Sequence, residues 1–198
     1  MKTKEPQVER RRVIEAYARY DCSKKCRALP DFSTWDWTSP DTIDQALRQA
    51  DLKCGVLAGY KLWDCVELTI ADLRNCAVLY KLFPKDARPL GRVNPERLHS
   101  WKPDRDAAWY PAIVSGKTLA EAEPLILRPA LRTEVLADWY VEDGSGRAIT
   151  LIANAARFGS SIRVAIAYIG REPDEASSFM QQEQFKELLT PSGRPTRR

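Results

Sequence analysis

From residue 124 onward the chain runs through PLILRP, ADWYVEDG, SGRAITLIANAARFG and SIRVAIAYIG. PLILRP is a short, fully apolar strand, and ADWYVEDG is a second strand. SGRAITLIANAARFG is a helix with a glycine just past its end, and SIRVAIAYIG is a third strand. EASSFMQQEQFKELL then closes as a helix, and upstream LWDCVELTIADL reads as a strand that ends in a turn. Strand, loop, strand, helix, strand, helix can bury its apolar faces only as a small mixed β-sheet with flanking helices. The fold class predicted is α+β.

The N-terminal third has a different character. QVERRRVIEAYARY (7–20) places Val8, Ile14, Tyr17 and Ala18 near one face at helical spacing. RALPDFSTWDWTSP is a proline-punctuated loop with two tryptophans, and Ser39-Pro40 before DTIDQALRQADL is a helix start with Ser39 as cap candidate. This gives a helical N-terminal extension over 1–60, an α/β domain over 61–190 and a disordered basic tail over 191–198. Residues 84–111 carry five prolines and two tryptophans, which predicts a long ordered loop or a set of short helices.

The charge bounds the partners. Net charge is +4, and much of it sits in the basic ends, at Lys2, Lys4, Arg10–Arg12, Arg194, Arg197 and Arg198. The body between them is nearly neutral, which gives little support for nucleic-acid binding. No apolar run approaches the roughly 18 residues of a membrane span, and MKTKEPQVERRR lacks the apolar core of a signal peptide. A cytoplasmic protein without a membrane partner is predicted. Its five cysteines (22, 26, 54, 65 and 76) are then reduced thiols rather than a disulfide framework.

The junction WYVEDGSGR carries the most chemistry. An apolar strand ends in Glu142-Asp143-Gly144, and Ile149, Leu151, Ile152, Ala155 and Ala156 form the apolar face of a helix, with Asp143 or Ser145 near its N-cap. The first amides of a helix and the positive end of its dipole make an anion site. Gly144 and Gly146 permit unusual backbone angles and close approach by a ligand, and Arg147 adds a planar fork suited to phosphate or carboxylate. Glu142 and Asp143 are placed to hold a metal ion or to act as bases. DGSG is equally a good turn sequence, and it matches neither the P-loop nor the dinucleotide fingerprint.

The order PLILRP, WYVEDGSGRAITL, small-residue helix, RVAIAYIG resembles the ParB/sulfiredoxin-like domain over about residues 62–172. VNPERLHSW, with Gly116 before Pro124-Leu125, looks like the Asn-Pro…Gly…Pro-Ile frame of the same domain. The resemblance implies a nucleotide or phosphate site at Gly144, Ser145, Gly146 and Arg147. Members include CTP-hydrolysing DNA clamps, ATP-dependent sulfinic acid reductases, kinases of free serine and nucleases. Gly146 stands where many members have histidine or another large polar residue. Ser145 stands where sulfiredoxins need cysteine, and the helix-turn-helix region of the chromosome-partitioning proteins does not follow.

The expected function is therefore nucleotide or phosphate binding, with a Mg2+-dependent phosphotransferase or nucleotide hydrolase as the enzymatic form. ATP or CTP and Mg2+ are the expected cofactors, and a nucleotide or phosphorylated small molecule is the expected ligand. Glu142 or Asp143 holds Mg2+ or takes a proton, Arg128 supplies a second positive group, and Glu67 or Asp72 is a remote carboxylate. The opposing class is a non-catalytic module that binds a protein partner or DNA through the tryptophan loops and basic termini. Trp35, Trp37, Trp101 and Trp109 either form that surface or fold back over the sheet. Zinc at Cys22, Cys26, Cys54 and His99, and His99 as a general base, complete the candidates.

Overall fold

The computed structural model describes residues 1–78, 88–92, 124–130, 137–158 and 165–182. The elements in chain order are β1 (Lys2–Glu9), α1 (Arg10–Lys24), α2 (Pro40–Gln49), β2 (Tyr60–Leu68), α3 (Ile70–Arg74) and β3 (Cys76–Val78). They continue as β4 (Arg88–Pro89), β5 (Leu125–Pro129), β6 (Trp139–Asp143), α4 (Ser145–Phe158) and β7 (Ala165–Pro173). Short 3-10 turns lie at Phe32–Thr34, Gly55–Gly59 and Leu90–Arg92. Among the described residues the strands form one mixed sheet in the order β1-β2-β7-β5-β6-β3-β4. The β5–β7 and β3–β6 pairs are parallel and the remainder antiparallel. This is the α+β architecture that the alternation of elements predicts.

Both faces of the sheet are covered, which is why its central strands lack a polar side. Leu125, Leu127, Val66, Leu68, Ala167 and Ile169 point to one face and pack with Leu73 of α3 and with Ala148, Ile149, Leu151 and Ile152 of α4. Ile126 and Tyr168, each between two of those residues, and Trp63 of β2 point to the other face. There they meet Val13, Ile14, Tyr17, Ala18 and Cys22 of α1 and Ile43 and Leu47 of α2. Each such aliphatic side chain contributes roughly 1.5–3 kcal/mol on burial.

Local chemistry places several boundaries. Pro40 opens α2 as predicted, with Ser39 at the N-cap position, although the serine side chain makes no capping hydrogen bond there. The turn predicted within TIADL is the helix α3, held by a capping box in which Thr69 and Asp72 satisfy each other's backbone amides. The helix predicted from residue 7 starts at Arg10, and residues 2–9 form a strand paired antiparallel with β2. Pro6 is tolerated there because β1 lies at the edge of the sheet.

At the far end of the chain, Arg10 donates to the Ala58 carbonyl (2.7 Å) and to Asp174 (3.2 Å). The Asp174 amide in turn donates to the Gly59 carbonyl at 2.8 Å. The start of α1, the 55–59 turn and the exit from β7 are thus tied together. A helical stretch over 178–182 follows, and the rest of the predicted closing helix, like the tail 191–198, lies outside the described residues. No described helix is long and apolar enough to cross a membrane.

Candidate functional site

The β5–β6 pair sets the site through a register shift. Arg128 faces Tyr140 and Leu127 faces Val141, but Ile126 faces Asp143, so Glu142 is an extra residue on β6. Such an insertion bends a strand and re-aims its side chains. Arg128, 4% exposed, lies over the Tyr140 ring with 4.2 Å from guanidinium carbon to ring centroid. Its Nε donates to the Glu142 carboxylate, and its Nη1 donates to the Pro129 carbonyl at 3.0 Å. The Arg128 head is buried, whereas the Glu142 side chain retains 21% exposure.

The next residues turn the chain into α4. Gly144 takes φ +89°, in the left-handed region where L side chains are strained, and its carbonyl accepts the first helical hydrogen bond from Ala148 at 2.9 Å. A Cβ there would lie 2.4 Å from Leu125 Cδ2 and 2.7 Å from an Arg147 Nη. The close approach that glycine permits is therefore to Arg147 itself. Arg147 Nη2 donates to Asp143 Oδ2 at 2.8 Å, one helical turn back, and its guanidinium lies 4.7 Å from the centroid of the Tyr20 ring. Ser145 Oγ donates back to the Val141 carbonyl at 3.3 Å. Gly146 sits in the first turn of α4, and among the described glycines only Gly144 has a positive φ.

The opposite layer closes on this junction. Burial pushes the Tyr17 phenol far up, with Cys54, Asp143 and Asp21 adding to the effect and Arg147 opposing it. Burial likewise raises the Cys54 thiol, with Asp143 and Glu142 adding. Both groups are neutral at physiological pH. The geometric tie between α1 and the junction is the Tyr20 ring against the Arg147 guanidinium.

Of the residues singled out in the sequence, Arg128, Glu142, Asp143, Gly144, Ser145, Gly146 and Arg147 come together here. Glu67 does not. It lies on β2 and pairs with Lys4 at 3.1 Å, three strand spacings from β6, or about 14 Å. Asp72 is occupied in the α3 capping box. His99, Trp101, Trp109, Gly116 and most of 84–111 lie outside the described residues. Cys22 is buried, while Cys26 is exposed. Trp35 and Trp37 stack, Phe32 meets Trp35 edge to face, and the three pack against the core on the α1–α2 side, with Arg11 over Trp37 at 5.5 Å. The site residues that the sequence did not single out are Tyr20 and Tyr140; Cys54 entered there only as a candidate zinc ligand. Tyr17 and Tyr20, three apart on one helix, were the available signal for the first of these.

Magnesium does not fit the junction as it stands. The two carboxylates that would hold it, Glu142 and Asp143, each accept from a buried arginine. Among the described residues no group of three His, Cys, Asp or Glu is arranged to bind a metal ion. A carboxylate that is 32% exposed, Asp143, sits on a guanidinium that is 4% exposed, at the positive end of a helix of 14 residues. No known protein family, curated protein or solved structure matches the chain.

Proposed function

We propose that the β6–α4 junction binds the phosphate group of a nucleotide or phosphorylated small molecule, with Asp143 holding that place when the ligand is absent. The observation that carries this reading is the setting of Arg147. Its guanidinium is buried beside the first turn of α4, while its counter-ion Asp143 reaches solvent. A phosphate brings more charge and more acceptor oxygens than a carboxylate, and it gains the first amides of α4 as donors. Arg128, on the neighbouring strand β5 and paired with Glu142, supports a second oxygen once Glu142 turns outward. Binding, rather than phosphoryl transfer, is what paired carboxylates support.

The test is calorimetric titration of inorganic phosphate, ATP, CTP and GTP into wild type, Asp143→Asn and Arg147→Lys. Removal of the competing carboxylate in Asp143→Asn tightens anion binding even as it weakens the fold. The Lys variant loses the planar fork and binds more weakly. Absence of anion binding in both the wild type and Asp143→Asn would overturn the reading.

A further inference from the structure

Among the described residues, Arg147 meets two groups of the junction and one from a distant part of the chain. Asp143 meets the edge of the guanidinium, and the bare Cα of Gly144 lies against it. The third is the ring of Tyr20, which comes from α1, more than a hundred residues away in sequence. Lys24, one turn further along α1, places its ammonium 5.7 Å from the centroid of the same ring. The buried stripe Val13, Ile14, Tyr17, Ala18 and Cys22 anchors α1 on the sheet, so the position of the ring is set by core packing.

From this geometry we infer that Tyr20 is the positioning residue of the phosphate site: its ring face holds the Arg147 guanidinium in the plane in which it meets the anion. The inference rests on the reading of the junction given above. A guanidinium confined between an aromatic face and a glycine cannot follow Asp143 when that carboxylate leaves. Its donors stay pointed at the vacated position, and the incoming anion does not have to order them. The N-terminal helix thereby becomes part of the site and not only a cover for the sheet.

The experiment uses the full chain with inorganic phosphate as probe, in wild type, Tyr20→Phe and Tyr20→Leu. Two readouts are taken: the calorimetric Kd, and the NMR position of the Arg147 side-chain Nε–Hε resonance in the absence of phosphate. In wild type and Tyr20→Phe the resonance is displaced by the ring current, and the two bind phosphate within about twofold of each other. In Tyr20→Leu the displacement is lost and phosphate binds about tenfold more weakly. If wild type binds phosphate and Tyr20→Leu, folded, binds it equally well, the role of Tyr20 is overturned while the phosphate site stands. If wild type does not bind phosphate, the site itself falls and the inference with it. Should Tyr20→Leu fail to fold, an Arg147 resonance in wild type without a ring-current displacement refutes the stacking on its own.

Discussion

Arg128 and Tyr140 stand directly opposite each other across the β5–β6 pair, with the guanidinium over the ring at 4.2 Å. The same guanidinium is bonded to Glu142, so the two partners of the pair are not equivalent. Removing the acid leaves a buried cation, whereas removing the base leaves a carboxylate that already reaches water. Glu142→Gln is expected to cost on the order of 3 kcal/mol, the low end for a broken buried pair. Arg128→Met, which keeps apolar contact with the ring, is expected to cost about 1.5 kcal/mol or less. Urea denaturation decides, and equal losses would show that the charge on Arg128 is not desolvated.

The two glycines of DGSG respond oppositely to alanine. At Gly144 a side chain meets both a positive φ and Leu125 Cδ2 at 2.4 Å, so Gly144→Ala is expected to cost at least about 2 kcal/mol. Gly144→Asn separates the causes, because asparagine accepts the backbone angle but not the collision. A loss in Asn as large as in Ala identifies the collision with Leu125 and Arg147. Gly146, with helical backbone angles in α4, is expected to gain up to about 1 kcal/mol as alanine.

Thiol chemistry reports on the core. Cys26 is exposed, whereas Cys22, Cys54 and Cys76 are buried. Burial, with Asp72 and Asp138 adding to it, pushes the Cys76 thiol up to about 12. Iodoacetamide at pH 8 is therefore expected to label Cys26 rapidly in the native protein and Cys54 and Cys76 only after denaturation. Rapid native labelling of Cys54, read by peptide mass spectrometry, would contradict its burial.

A pH dependence is attached to the cap of α3. Burial alone would raise the Asp72 carboxyl, but hydrogen bonds from the Met1 amino group and from the Thr69 amide and hydroxyl outweigh it and hold the carboxyl below its ordinary value. A depressed carboxyl stabilises the fold above its unfolded pKa, near 4, and that stabilisation disappears as pH falls through the lower folded value. Asp72→Ala is expected to cost about 1 kcal/mol at pH 7, with the difference from wild type vanishing in the acid range. A difference that persists unchanged at pH 2 would assign the loss to packing.

The parts of this fold that follow local rules are legible in the sequence. Pro40 after Ser39 marks the start of α2, and the apolar runs of β5 and β7 mark strands because both faces of the sheet are buried. KTKEPQVE is not legible as a strand. It has one buried residue, Val8, and a proline, and its strand state comes from pairing with β2. The same division runs through the candidate site. Asp143, at the end of β6, and Arg147, in the first turn of α4, are four apart, a local spacing at which the pair is suggested by the sequence. Glu142 meets Arg128 only because of a register shift in β6, and Tyr20 meets Arg147 only because α1 crosses the sheet there; neither can be read from local pattern.

The place of β7 in the sheet has a consequence for how the protein is made. It is the last described strand in the chain, yet it lies in the interior, between β2 and β5. β1 with β2, and β5 with β6, all precede β7 in the chain, so each pair can form before β7 joins them. Until then each partial sheet presents an unpaired inner edge lined with apolar residues, the kind of surface on which aggregation begins and chaperones act. Among the described strands, β7 is thus the late piece in sequence order that joins two earlier pairs into one sheet.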